Sequence, residues 1–402
     1  MNKNLFSICL LSVILGIALV NPVFAQEEPK KEGYQFTIKK ELPATSVKNQ
    51  FRSSTCWSFS TISFLESELL RLGKGEYDLS EMFVVYNIYH EKARNYARWQ
   101  GNVNFAAGGA FHDVTQVFQT IGMVPEEVYS GKVIGEADHI HNELDAVSLA
   151  YMEALIKNAN GKLTPVWLDG FDGILDAYLG EYPHHFISAG KEYTPLSYAA
   201  ELGLNMDDYV EIGSYMHHPY DSKFIIELPD NWMHGEIYNV KLDEMMMIID
   251  YALDNGYTIG WGADISEKGF SWKNGVAIVP ATELEDLRGT EREKWEKLSV
   301  KEREKMMYSF EEPVPEKTIT PELRQQAFDN YQTTDDHGMH ITGYATDQKG
   351  NRYYLVKNSW GTTGNDYKGY FYASHPFVAY KTIDIVVHKE SVPKEIRKRL
   401  GF

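Results

Sequence analysis

The sequence VKNQFRSSTCWSFS occupies residues 47–60 and changes character at Cys56. The part before Cys56 is polar, and the part after it opens an apolar pattern with helical spacing that Gly73 would end. The apolar positions of this pattern are Ile62, Leu65, Leu69 and Leu72. A loop followed by a helix is therefore predicted, with Cys56 in the first helical turn. Free backbone N–H groups and the positive end of the helix dipole favour a thiolate there, so the pattern indicates a nucleophilic cysteine.

Gln50 lies on the predicted loop, six residues before Cys56. Its amide could donate a hydrogen bond into the same site, and the backbone N–H of Cys56 would supply a second donor to an oxyanion hole. The alternative is an inert core Cys56 followed by a core Trp57, because Cys is among the residue types most often buried. The loop-to-helix position and the nearby Gln50 favour the nucleophile.

Residues 1–25 have the pattern of a secretory signal peptide, with a lysine, an apolar run and the small-residue site Val23-Phe24-Ala25. The alternative, a buried N-terminal helix, would need partners on every face. We expect export to the periplasm or the extracellular space, without a membrane anchor. Of the two cysteines, Cys9 would be removed with the signal, and Cys56 would remain as a lone thiol that can form no internal disulfide.

The 402 residues carry a formal net charge of -18 and are 43% hydrophobic. This length and composition allow a large core and predict two or more lobes. Such an acidic chain lacks the basic surface that neutralises phosphates, so nucleic-acid and anionic-membrane partners are not expected.

The segments DHGMHITGY at 336–344 and YYLVKNSWG at 353–361 predict two strands joined by a polar turn. In such a hairpin His337, at the start of the first strand, lies close to Asn358, at the end of the second. A cysteine nucleophile needs a base and a third group that orients the base, and this hairpin supplies both. The alternatives are a structural His337, the more common role of a lone His in a strand, and His340 as the base.

Together these segments resemble the papain-like cysteine peptidases, whose Gln, Cys, His and Asn fall in chain order on Gln50, Cys56, His337 and Asn358. The resemblance implies a thiolate–imidazolium pair, attack by Cys56 on a peptide carbonyl and hydrolysis of an acyl-enzyme, with no metal and no organic cofactor. It also implies that Trp360 shields the Asn–His hydrogen bond and that Gly108-Gly109 holds the backbone of an extended substrate. By itself, the glycine pair would more often be a turn.

Within that family, the chain resembles the bleomycin hydrolase and aminopeptidase C group. The segments that carry this closer resemblance include 121–125 (IGMVP), 193–196 (YTPL), 262–264 (GAD), 337–339 (HGM) and 391–395 (SVPKE). Ser54-Thr55 departs from the family pattern, because a small residue, often Gly, is common before the nucleophile. The β-branched Thr55 is harmless only if the preceding loop keeps a β-region backbone.

The resemblance implies an α+β fold with a helical lobe, a β-rich lobe and the active site in the cleft between them. The expected divisions are a leader and helical lobe at 26–130, an insertion at 131–235, the β-rich lobe at 236–390 with a charged helical insert at about 284–330, and a tail at 391–402. The insertion carries the pairs His184-His185 and His217-His218. No metal site is expected from them, since adjacent His side chains diverge and no carboxylate or Cys pattern accompanies them.

A peptide or protein substrate follows from the resemblance, with aminopeptidase action and a homo-oligomer. In the bleomycin hydrolase group a C-terminal arm enters the cleft and meets the amino group of the substrate. The enzymes of this group form a hexameric shell. Here the segment after Pro393 is short and basic. This places the hexamer in doubt and keeps an open-cleft endopeptidase as the alternative. An acyltransferase and a non-catalytic papain-like binding protein are further alternatives, although the complete set of four residues argues against the second.

Overall fold

The helix predicted after the polar loop runs from Cys56 to Arg71 in the computed structural model, which describes residues 33–402. It begins there because the carbonyl of Thr55 accepts hydrogen bonds from the N–H groups of Ser58 and Phe59. The predicted signal peptide at 1–25 and Cys9 lie outside the described residues. Within residues 33–402, no helix has the length and apolar character needed to cross a membrane.

The described residues form helices of very different length. They are α1 Cys56–Arg71, α2 Glu81–Arg98, α3 Phe111–Thr120, α4 Asn142–Ile156, α5 Trp167–Leu179, α6 Pro195–Leu202, α7 Leu242–Asp254, α8 Gly289–Trp295, α9 Val300–Met307, α10 Pro321–Asp329, α11 His375–Lys381 and α12 Lys394–Leu400. Helices α1 to α6 share one hydrophobic core, whereas α7, α11 and α12 pack into a second core with the sheet.

The strands are β1 Thr37–Glu41, β2 Phe186–Ser188, β3 Lys191–Tyr193, β4 Tyr209–Gly213, β5 Ser222–Ile225, β6 Glu236–Asn239, β7 Ile259–Ala263, β8 Phe270–Ser271, β9 Val276–Ala277, β10 His337–Thr346, β11 Arg352–Lys357, β12 Tyr370–Ser374 and β13 Thr382–His388. One sheet has the order β5-β6-β4-β13-β7-β10-β11-β12-β9-β8, with β1 also paired to β10, and β2 and β3 form a separate hairpin. The predicted α+β fold with a helical lobe and a β-rich lobe is confirmed. Helix α1 packs against β10, so the two lobes meet beside Cys56.

The predicted hairpin near the C-terminus is formed by β10 and β11, which pair antiparallel. In its turn the Asp347 carboxylate accepts hydrogen bonds from the N–H groups of Lys349, at 2.9 Å, and Asn351, at 2.8 Å. This turn chemistry closes the hairpin and sets its two arms side by side.

The segment predicted as one insertion at 131–235 is divided between the lobes. Its helices α4, α5 and α6 pack on the core of α1 to α3. Its strand β4 pairs with β13 and extends the main sheet, and β5 follows through β6. The segment predicted as an insertion therefore contributes to both lobes, because non-local strand pairing places its second half in the main sheet.

The charged helical insert predicted at about 284–330 is divided among several short helices. Helix α8 ends at Trp295, and α9 begins after Ser299. The Ser299 hydroxyl caps α9 by accepting from the N–H of Glu302. Trp295 and Met307 are buried against the β-rich lobe. The stretch is thus anchored by two apolar side chains rather than being only a solvated face.

Candidate active site

The cleft between the lobes has a volume of about 400 Å³ and contains the predicted nucleophile. The predicted site residues that line it are Gln50, Cys56, Gly108, Gly109, His337 and Trp360. Asn358 lies behind His337 and is buried. The fold therefore brings all seven predicted residues to one place, although they are separated by up to about 300 positions in the chain.

His337 and Asn358 are joined by a hydrogen bond of 2.7 Å between Nε2 and Oδ1. Because an amide oxygen can only accept, the imidazole carries its proton on Nε2 and leaves Nδ1 as an acceptor. The Trp360 ring lies 5.0 Å from the imidazole, centroid to centroid. The pair is thus held in one orientation and covered on one side by an indole.

The thiol and the imidazole both favour their neutral forms. Burial raises the pKa of the Cys56 thiol to about 12; the N–H groups of Gly338 and Trp57 stabilise the thiolate, and the Asp335 carboxylate disfavours it. Burial lowers the pKa of His337 to about 4, against the hydrogen bond to Asn358, which favours the charged form. These directions oppose the thiolate–imidazolium pair that the resemblance implies. Among the described contacts, no hydrogen bond joins Cys56 to His337.

Gln50 is held by two hydrogen bonds to Ser359. Its backbone N–H donates to the Ser359 carbonyl at 2.8 Å, and its side-chain oxygen accepts from the Ser359 hydroxyl at 2.7 Å. The remaining side-chain NH₂ belongs to a residue that lines the cleft. Gln50 therefore retains a donor for an oxygen bound beside Cys56.

The loop before Cys56 leaves the β region of backbone conformation at Ser54. Ser54 has a φ of 55°, in the left-handed region where Gly is the common residue. The condition for a harmless Thr55, a β-region backbone in the preceding loop, is therefore not met at Ser54, and this conformation costs Ser54 about 1–2 kcal/mol. Thr55 is fully buried, and its hydroxyl lies 2.5 Å from that of Ser53. This contact holds the side chain of Thr55, which departs from the family pattern, in position.

Gly108-Gly109 forms a tight part of the cleft wall. A Cβ at Gly109 would lie 2.6 Å from the Asp113 carboxylate, and one at Gly108 would overlap the carboxylate of Asp230. The start of the loop is held by Trp57, whose Nε1 donates to the Ala107 carbonyl at 3.0 Å. Only glycine leaves the backbone of this wall free to approach another chain.

His340, the competing base, lies elsewhere. It is 1% exposed, and its Nδ1 is 2.9 Å from the Ser63 hydroxyl. Burial lowers its pKa well below the usual value, and the nearby Lys357 acts in the same direction. His340 is not among the residues that line the active-site cleft in the described chain.

The cleft also contains acidic residues that sequence reasoning did not assign to the site: Glu211, Asp230, Asp335, Asp336 and Asp384. Asp335 and Asp336 directly precede His337, so their position in the chain was an available signal. Burial and then the charge of Asp230 raise the pKa of Asp335 to about 7. Glu211 and Asp384 reach the cleft through pairing of β4, β13 and β7, for which no local pattern exists.

His112 is a further member of the cleft that the sequence did not reveal. Its Nδ1 lies 3.0 Å from the Glu211 carboxylate, and although burial alone would lower its pKa, Glu211 raises it to about 9. His112 and Glu211 therefore form an ion pair at neutral pH.

The His217-His218 pair differs from expectation as well. Both rings approach one carboxylate: Nε2 of His217 and Nε2 of His218 lie 3.1 Å and 2.8 Å from Glu227. The three ligand atoms lie within 4.8 Å of one another, a set that could hold a divalent metal ion. The expectation that these side chains diverge without a carboxylate is wrong, because β5 leads the chain back to Glu227.

Comparison with known proteins agrees with this fold. The model of the Peptidase C1-like family matches residues 318–401. Aminopeptidase G of Lactobacillus delbrueckii subsp. lactis is 22% identical over 404 residues, covering 90% of this chain and 85% of that protein. Aminopeptidase C of Listeria monocytogenes is 22% identical over 414 residues, with coverage of 92% and 87%.

Among solved structures, PepW from Lactobacillus rhamnosis HN001 is similar in fold. It superposes with a TM-score of 0.65 at 18% identity, covering 90% of this chain and 84% of PepW. The fold, the relatives and the matched family model together support a papain-like cysteine peptidase that is similar to the aminopeptidases C.

Proposed function

We propose that this protein is a thiol aminopeptidase that removes residues from the amino end of peptides through Cys56. The observation that carries the proposal is the 2.7 Å bond between His337 and Asn358, which orients the imidazole in the same cleft as the cysteine. A nucleophile, an oriented base and a second donor, Gln50, are the groups that acyl transfer from a peptide needs.

The reaction follows from the protonation states. The Cys56 thiol transfers its proton to Nδ1 of His337 as sulfur bonds to the substrate carbonyl carbon. The carbonyl oxygen, now negative, accepts hydrogen bonds from the Gln50 amide and the Cys56 N–H. His337 then gives the proton to the leaving amine, and the C–N bond breaks. Water hydrolyses the thioester with His337 as base, which releases the acid and restores the thiol.

Two observations support action at the amino end of a substrate. The relatives are named aminopeptidases. Five acidic residues line the cleft, and no Lys or Arg is among the described residues that line it. Such a cleft attracts the ammonium group of a free amino terminus.

A second candidate, endopeptidase action, is favoured by the position of the C-terminal segment. Phe402 packs on Tyr238, with ring centroids 5.0 Å apart, and Arg399 bonds to Asp221 and Glu244. These contacts hold α12 against β6 and α7, which contribute no residue to the cleft among those described.

The experiment that separates the two is mass spectrometry of the products from a free peptide and its N-acetylated twin. Trimming of the free peptide alone, one residue at a time, supports the aminopeptidase. Internal cleavage of both peptides at similar rates would assign the endopeptidase, and no cleavage of either would overturn both.

We also propose that the protein is exported, on the basis of the signal pattern in residues 1–25. Cell fractionation followed by N-terminal sequencing checks this. A mature protein that begins close to Gln26 outside the cytoplasm is the expected result, and an intact N-terminus in the cytoplasmic fraction would contradict it.

A further inference from the structure

One row of residues crosses the sheet from the nucleophile into the cleft. Gly338 on β10 is paired with Gly262 on β7, and Gly262 with Asp384 on β13. Directly paired residues project to the same face of a sheet. Both glycines are tight positions, since a Cβ at Gly338 would lie 2.6 Å from the Ser60 hydroxyl and one at Gly262 would overlap the Asp384 carboxylate. The row, which we call the glycine floor, therefore has no side chain at Gly338 and Gly262 and ends at the carboxyl group of Asp384.

Asp384 reaches back along this floor towards the nucleophile. Its carboxylate lies over Gly262, which is one strand spacing, about 5 Å, from Gly338. Gly338 is in turn close enough to Cys56 for its N–H to stabilise the thiolate. The distance from sulfur to carboxylate is thus one that the first residue of a substrate can span.

Asp384 lacks the partners that a buried carboxylate needs. It is 8% exposed and lines the cleft, and its side chain makes no hydrogen bond or ion pair with another described residue. An isolated buried carboxylate is costly unless a cation compensates it. Burial, followed by the charges of Glu211 and Asp335, raises its pKa well above the usual range.

The two cationic residues nearby do not form a hydrogen bond or ion pair with the Asp384 carboxyl group. His112 is already paired with Glu211. Arg324 donates to the carbonyls of Ser214 and Tyr380 instead. Both favour the ionised form of Asp384, but neither bonds to it. The site thus has more acidic than basic groups, and one carboxyl group with open hydrogen-bonding capacity.

The end of the cleft that contains Asp384 is the end at Gly108-Gly109. Phe111, two residues beyond Gly109, lies 3.6 Å from the Cβ position of Gly262. Gln50 and Trp360 lie at the other side, around His337 and Asn358. A substrate held by the glycine pair would therefore present the residue that becomes the acyl group to Asp384.

We propose that Asp384, with Glu211 beside it, binds a cationic group that the substrate carries on the acyl side of the scissile bond. This inference rests on the proposed function. The group is an ammonium or guanidinium, and it has two sources: the free α-amino group, or the side chain of a Lys or Arg. A carboxylate bonded to either gains a charge-assisted hydrogen bond.

The test measures binding by calorimetry in the Cys56→Ala protein, so that it does not depend on hydrolysis. The probes are Leu-Ala-Ala, N-acetyl-Lys-Ala-Ala and the uncharged N-acetyl-Leu-Ala-Ala. We expect at least one cationic probe to bind more tightly than the neutral one. Asp384→Asn should remove about tenfold to hundredfold of that preference and leave the neutral probe unchanged. The matched control is Glu153→Gln, at an exposed carboxylate that pairs with Lys157 on the surface.

Each outcome decides between sources or overturns the inference. Selectivity for Leu-Ala-Ala assigns the α-amino group, and selectivity for the lysine probe assigns the side chain. A cation preference that survives Asp384→Asn, or no preference in the parent protein, overturns the proposal. If the preference is lost as expected but the wild-type protein hydrolyses no peptide, the binding site stands and the proposed function fails.

Discussion

The two ends of the cleft differ in how their polar groups are satisfied. At one end, Gln50, His337 and Asn358 are each bonded to a neighbouring side chain. At the other end, Asp384 has no such partner and lies beside Glu211 and Asp335. The comparison teaches that the protein positions its chemical groups by internal hydrogen bonds and leaves one carboxyl group, that of Asp384, open to a ligand. Variants at the first end should therefore change kcat, whereas variants at the second should change binding.

The largest effect is expected from Cys56→Ala, which removes the nucleophile. Activity should fall by roughly 10⁴-fold or more, because no other group at this end can form the acyl-enzyme. The measurement is hydrolysis of an unblocked peptide, with the melting temperature as a control for folding. Substantial residual activity would transfer the nucleophile to another residue.

Gln50→Ala should lower kcat by about 10²–10³-fold, since it removes one of two donors to the developing oxyanion. KM should change little, because the donor acts on charge that appears only in the transition state. Ser359→Ala is a useful companion, as it frees the Gln50 side chain without deleting it and should give a smaller loss. Equal KM and kcat effects would make Gln50 a substrate contact instead.

Asn358→Ala should lower kcat by about 10–100-fold, the value of one hydrogen bond that fixes the imidazole. Steady-state kinetics separate this loss from a change in KM. If KM alone rises, Asn358 contacts the substrate and does not orient His337.

The pH profile of kcat/KM should have its acid limb near pH 4. His337 acts as a base only when neutral, and burial lowers its pKa to about 4, so activity should rise as pH increases through that value. The profile should be measured where the melting temperature shows the protein to be folded. An acid limb near pH 6.5 would indicate an imidazole that is not desolvated.

The smallest effect is expected from His340→Ala. This ring lies outside the cleft, so kcat per folded molecule should change less than about twofold, whereas stability should fall by about 1–3 kcal/mol through loss of the Ser63 partner. Denaturant unfolding and active-site titration measure the two quantities. A loss of activity as large as that of His337→Ala would exchange the roles of the two histidines.

Much of the first end of the cleft is predictable from sequence. The change from a polar loop to an apolar helical pattern places Cys56 at a helix start, and a period-two pattern with a turn places His337 beside Asn358. These features depend on residues that are near one another in the chain, so local propensity is enough to predict them. The resemblance to a family then predicts that Gln50 lies in the same site as Cys56 and His337.

The second end of the cleft depends on tertiary structure. Asp384 and Glu211 face the glycine floor only because β13 inserts between β4 and β7, which are separated from it by more than 100 positions. The convergence of His217 and His218 on Glu227 also depends on the fold, because β5 leads the chain back beside the two rings. Protonation is likewise a property of the fold, since burial, rather than residue type, gives Cys56 and His337 neutral forms. Sequence by itself predicted which groups would do the chemistry, and tertiary structure decided their charge and the chemical character of the cleft around them.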